Sequence, residues 1–161
     1  MSVYSPIVAP VKVPLRLSGF KSDITSGHVD QTDNQRAHVL IVDDSEDIRK
    51  TYALYLTQKG YRVSKAHSGK EALEKALGVG PDLVVLHLWL PKINGWELTR
   101  RLKSNERTRH IPLLVLAGQT LVPPRECDGF LRKPFQLDEF GEEIAHQVSA
   151  PASVALRPTG T

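Results

Sequence analysis

Three polar clusters in this 161-residue chain have types and spacing that could do chemistry together. Asp43 and Asp44 follow an apolar run that ends at Val42. His87 closes the run Leu83-Val84-Val85-Leu86 in "PDLVVLHLWLPKINGWE", residues 81 to 97. Lys133 follows "GFLR". Two adjacent carboxylates without a cation repel each other. A metal ion, an ammonium or an imidazolium would each relieve that repulsion. After His87 come two bulky apolar residues, a proline and the turn pair Asn94-Gly95. A buried strand therefore delivers one side chain to a rim and breaks into a loop. The pattern is built around a carboxylate, yet the delivered residue is a histidine.

The elements that would position these groups alternate between strand and helix. His38 to Val42 is a short buried strand, followed by a helix to about Lys59 with Ile48, Tyr52, Tyr55 and Leu56 on one face. Gly60 ends that helix. "YRVSKA" is a second strand. In the helix that follows, Ser68 and Glu71 stand at capping-box spacing, and Leu73, Ala76 and Leu77 face inward. Residues 82 to 87 form the third strand and 95 to about 104 the third helix. "IPLLVLAG" is the fourth strand, and "DGFLRKPF" holds a short fifth. "LDEFGEEIAHQV" is a last helix with Leu137, Phe140, Ile144 and Val148 inward. Near-continuous apolar strands alternating with helices imply a parallel sheet covered on both faces, an α/β doubly wound architecture. Such sheets carry their sites at the carboxyl ends of the strands, where Asp43-Asp44, His87 and Lys133 all fall.

One connection is short. Only fifteen residues, Gly118 to Arg132, separate Ala117 from Lys133, and they include Pro123, Pro124 and Gly129 and must also supply the fifth strand. A crossover helix with two loops barely fits that length. The fourth helix is expected to be one turn or missing. Residues 1–36 read as a disordered N-terminal arm, 37–148 as the folded domain and 149–161 as a flexible tail.

Composition narrows the function classes. Hydrophobic residues make up 40% of the chain, and no apolar run approaches the roughly 18 residues a spanning helix needs. Pro6, Pro10 and Pro14 interrupt any signal-like apolar segment. The one cysteine, Cys127, excludes an internal disulfide and fits a cytoplasmic protein; with no nearby His to organise it, it reads as a loop or core thiol. A net charge of +3 is too small for a dedicated nucleic-acid binder. The basic stretch "RRLKSNERTRH" reads first as a solvated helix end whose cations suit the dipole, with an acidic docking partner as the sharper alternative.

With these pieces in order, the stretch from about Ala37 to Val148 resembles the receiver domain of two-component response regulators. The matching segments are "VLIVDDSEDIRK", "GYRVSKAHSGKEALE", "PDLVVLHLWLPKINGWEL", "IPLLVLAG" and "GFLRKPF". The resemblance implies a five-stranded flavodoxin-like sheet. It also implies a phosphoryl-accepting aspartate at the end of the third strand and an acidic pair that holds Mg²⁺. A Ser or Thr ends the fourth strand, and a Lys follows the fifth. Carried over, Asp43 and Asp44 match the acidic pair, Lys133 the lysine, Pro134 the proline that commonly follows a cis bond, and Phe130 the aromatic that reports the state to partners. Pro91 and Gly95 match the loop after the third strand. Trp89 sits where a backbone carbonyl would ligate Mg²⁺.

Two positions depart: His87 replaces the phosphoacceptor aspartate, and Ala117 replaces the Ser or Thr. No acyl phosphate can form on an imidazole, and an alanine donates no hydrogen bond. The expected protein is a pseudo-receiver that acts by protein–protein contact in or beside a phosphorelay. Its partner would be a histidine kinase or another regulator of a two-component pathway. It would not be an enzyme and would need no cofactor, with Mg²⁺ at most weakly held. Phe130, Pro134 and Trp89 are the candidate switch and interaction residues. Two alternatives stand beside this: a receiver phosphorylated by a non-standard route, for instance on Asp43 or Asp44, and a receiver that binds metal through Asp43, Asp44 and His87. In the metal-free case His87 is expected to titrate as the cation of the acidic cluster, with a raised pKa.

Overall fold

The computed structural model describes residues 37–149. The expectations for residues 1–36 and 150–161 lie outside the described residues. Five strands, β1 (His38–Val42), β2 (Arg62–Ala66), β3 (Leu83–His87), β4 (Leu113–Ala117) and β5 (Gly129–Arg132), alternate with α1 (Glu46–Gln58), α2 (Gly69–Val79) and α3 (Gly95–Ser104); α4 (Leu137–Ser149) follows β5. All neighbouring strands are parallel, in the order β2-β1-β3-β4-β5. The order reverses between β1 and β3, so the crevice at their carboxyl ends is the topological switch point. This is the flavodoxin-like receiver architecture.

Period-two alternation divides the core. Leu40, Val42, Val84 and Leu86 pack with Ala72, Ala76, Leu98 and Leu102 from α2 and α3. Val39, Ile41, Leu83 and Val85 pack on the other face with Tyr52, Leu56, Phe140 and Ile144 from α1 and α4. β1 and β3 thus feed both layers, which is why their sequences show no polar alternation. Tyr52 and Phe140 meet at 4.6 Å between ring centroids, in a tilted arrangement. Leu137, expected inward, is 39% exposed; it is the first residue of α4, and the buried face of that helix runs from Phe140 through Ile144 to Gln147. Gly141 has a packing reason that offsets its poor helix propensity: a Cβ there would collide with the Tyr55 ring.

The caps follow the side chains. Ser45, Ser68 and Asn94 each accept a hydrogen bond from the backbone N–H three residues on. The return arm of the expected capping box is shifted by one residue: Glu71 Oε2 accepts from the His67 N–H at 2.8 Å rather than from that of Ser68. Burial would push the Glu71 carboxyl up, but its bonds from Lys75 and His67 win and hold it down at about 2.

Among the described residues no helix lies between β4 and β5. Leu121 and Cys127 of the connection pack with Trp96 and Phe130 against Leu88, Val115 and Ala117. Two polar pins hold the connection. Asp128 Oδ2 accepts from the Leu113 N–H at 2.8 Å and from Lys103 Nζ at 2.6 Å, and Trp96 Nε1 donates to the Val122 carbonyl at 3.3 Å.

The basic stretch is largely engaged within the fold. Arg100 and Arg101 both pair with Glu97, whose carboxyl they hold at about 2. Lys103 is bound to Asp128, and Arg107 donates to the Leu77 carbonyl at 3.0 Å.

Candidate functional site

The parallel register brings the sequence-predicted residues together. Val42 pairs with Leu86, so Asp43, the next residue, stands beside His87 at the strand ends. Asp43 is 1% exposed. Its Oδ1 accepts from the Ser45 N–H at 2.9 Å, the short local bond typical of an Asp opening a turn. Its Oδ2 has no hydrogen-bond partner. The Asp44 side chain is about half exposed. Arg49 Nη1 donates to the carbonyls of Asp43 and Asp44 at 2.7 and 3.0 Å and so clamps the acidic turn from α1. Sequence reasoning missed Arg49; its one signal is a cation one helical turn into α1, on the side facing the acidic pair.

His87 points its Nδ1 at the pair, 3.6 Å from Asp43 Oδ2 and 3.7 Å from Asp44 Oδ1. Both separations lie in ion-pair range but exceed the 2.7–3.2 Å of an N–H···O hydrogen bond. Nδ1 is itself buried without a hydrogen-bond partner. Lys133 Nζ approaches Asp43 Oδ2 from β5, at 3.8 Å. The expectation of a raised histidine pKa is overturned. Burial of the ring, then the Lys133 charge, lower it, and the upward pull of Asp43 and Asp44 does not compensate. The metal-free ring is therefore biased towards its neutral form.

Ala117 is wholly buried at the end of β4, among Leu88, Val115, Trp96, Leu121, Cys127 and Phe130. Its carbonyl accepts from the Lys133 N–H at 2.9 Å, which ties the lysine to the strand end. Phe130 lies half-buried on β5, outside the polar cluster, with the Arg132 guanidinium 5.0 Å from its ring centroid. The Lys133–Pro134 peptide is cis. Pro134 lines a shallow recess with Ile48, Tyr52, Lys133 and Phe135. Trp89 is 66% exposed on the loop after β3. That loop turns back sharply: a Cβ on Gly95 would lie 2.6 Å from Leu88 Cα, so no side chain fits there. Lys92 takes a left-handed φ of 69°, and the Ile93 N–H donates to the Pro91 carbonyl across it, the pattern of a γ-turn.

Comparison with known proteins meets this geometry from another side. Residues 39–145 match the family model of the response regulator receiver domain. The chain belongs to that family. Among its relatives is the polar-differentiation response regulator DivK of Brucella ovis, 32% identical over 112 residues, which are 66% of this chain and 91% of that protein. Similar solved structures include the N-terminal domain of a response regulator receiver protein from Methanoculleus marisnigri, with a TM-score of 0.57 and 32% identity over 71% of this chain and 98% of that one. Another is the chemotaxis response regulator CheY4 of Vibrio cholerae, with a TM-score of 0.64 and 28% identity over 70% of this chain and 98% of that one.

The receiver family implies Mg²⁺, and the residues here suit it poorly. Mg²⁺ demands oxygen ligands in a near-octahedral shell at about 2.0–2.1 Å. His87 supplies a nitrogen where the family has a third carboxylate, and Lys133 already stands 3.8 Å from the buried oxygen of Asp43. The site has lost one anion and kept its ammonium.

Proposed function

We propose that this receiver domain works as a pseudo-receiver, a protein-contact module of a two-component pathway that carries no aspartyl phosphate at position 87. One observation carries the reading: the side chain at the end of β3 is an imidazole whose Nδ1 stands 3.6 and 3.7 Å from Asp43 and Asp44. The ring occupies the approach a phosphoryl group would use and offers no oxygen for an acyl phosphate. The buried methyl of Ala117 adds a second loss, since no hydroxyl there can hold a phosphoryl oxygen. The domain performs no reaction of its own, and its work is recognition by a kinase or another regulator. Contact through the face around β5 is supported by the helix-free β4–β5 connection and by exposed Val122 and Trp89. A cytoplasmic setting suits such partners. No helix among the described residues is long and apolar enough to cross a membrane.

The test is incubation of the full chain with a small phosphodonor and Mg²⁺, read by intact mass. The expected result is no added phosphate on wild type, little on His87→Asp, and more on His87→Asp combined with Ala117→Thr. A base-labile, Mg²⁺-dependent gain of one phosphate on the wild type would sink the reading.

A further inference from the structure

Three electron-rich atoms converge at the carboxyl ends of β1 and β3, and the two buried ones have no hydrogen-bond partner. Asp43 Oδ2 and His87 Nδ1 are buried without partners. Asp44 Oδ1 completes the group, and the ligand atoms lie within 4.8 Å of one another. A protonated ring shared between the carboxylates would draw N–H···O contacts in to about 2.7–3.2 Å. The observed 3.6 and 3.7 Å are longer than that. They lie close to the edge of a tetrahedron of ligands around one ion, about 3.4 Å for bonds of about 2.1 Å. The side chain of Asp44, 52% exposed, has room to close the remaining gap and leaves a route in from solvent.

We propose that Asp43, Asp44 and His87 form a three-ligand site for a borderline divalent transition ion of the Zn²⁺ class, with the fourth position open to water. The nitrogen ligand selects this class over Mg²⁺. Two carboxylates cancel the charge of the ion. The support around the ligands is already built: the Ser45 N–H occupies the other oxygen of Asp43, and Arg49 holds the carbonyls of both aspartates. Lys133 is the competitor, since its ammonium stands 3.8 Å from the same Asp43 oxygen. Metal binding and the absence of an acyl phosphate are separable properties, one read by ligand titration and the other by mass.

The experiment is calorimetric titration of the chelator-stripped full chain with Zn²⁺ and with Mg²⁺, alongside the visible spectrum of the Co²⁺ form. One Zn²⁺ should bind, with Mg²⁺ at least about a hundredfold weaker, and Co²⁺ should give the intense bands of a four-coordinate ion. His87→Gln and Asp44→Asn should each weaken Zn²⁺ by at least the roughly 10–100-fold that loss of even an outer partner costs. Lys133→Ala should tighten it. Circular dichroism identifies any variant that fails to fold, and the other variant then carries the test. Zn²⁺ affinity unchanged in the folded His87→Gln or Asp44→Asn protein would overturn the proposal by placing the ion elsewhere. Equal Mg²⁺ and Zn²⁺ affinities, or no Zn²⁺ binding, would overturn it as well.

Discussion

His87→Asp restores the family's residue and should nevertheless destabilise the metal-free protein. The wild-type ring is biased to its neutral form, so the change inserts a third carboxylate beside Asp43 and Asp44. The ring nitrogen stands 3.6 and 3.7 Å from their oxygens. The shorter Asp side chain would sit somewhat farther away, and two charges about 4 Å apart at an effective dielectric near 20 repel by about 4 kcal/mol. Protonation caps the total. An Asp that stays neutral at pH 7 costs at most about 4 kcal/mol relative to an unfolded pKa of about 3.9. Lys133 recovers part of that. The expected loss is about 2–3 kcal/mol at pH 7 in chelator. A carboxyl whose folded pKa is raised costs nothing below its unfolded value, and its penalty grows as pH rises through the folded one. At pH 5 the cap falls to about 1.5 kcal/mol. Mg²⁺ at ten times its Kd should return about 1.4 kcal/mol. Urea denaturation at both pH values, with and without Mg²⁺, is the assay. A His87→Asp protein as stable as wild type in chelator at pH 7 would refute the claim that the neutral ring spares this cluster a third uncompensated charge.

Two further outcomes follow from the same geometry. In chelator, the lowered pKa of His87 means that its contribution to stability is fully present above the unfolded value of about 6.5 and is lost as pH falls through the folded one; His87→Gln should flatten that loss, and an NMR titration placing the ring pKa above 6.5 would contradict it. Asp128→Ala should cost about 2–3 kcal/mol in urea denaturation, because it strands the Leu113 N–H and unpairs Lys103; a loss below about 0.5 kcal/mol would show that the β4–β5 connection is held by packing alone.

Local signals carried most of the fold. Apolar runs located the strands, the Ser68–Glu71 spacing located the start of α2, and the Asn94-Gly95 turn marked where α3 begins. The missing helix between β4 and β5 followed from counting residues against Pro123, Pro124 and Gly129. What stayed hidden depended on distance in sequence or on burial. The Lys103–Asp128 pin joins residues 25 apart. The fit of Tyr55 against Gly141 requires α1 and α4 to be packed first. The direction of the His87 shift could not be read from its neighbours' charges, because desolvation outweighs them. Residue types located the cluster; only the fold showed that its central ring is largely buried.

The two departures from the family pattern are physically linked by the β4–β5 connection. With no helix there, Leu121 and Cys127 pack with Phe130 and Trp96 against the cluster of Leu88, Val115 and Ala117. A threonine at position 117 would have to fit its added methyl beside these side chains, and overpacking of this kind costs about 1–3 kcal/mol. The alanine therefore suits this connection. Position 87 completes the set. On the pseudo-receiver reading proposed above, a carboxylate there is only a third negative charge, and a neutral imidazole adds none and leaves the acidic pair able to accept a cation. On that reading His87, Ala117 and the helix-free connection form one consistent arrangement.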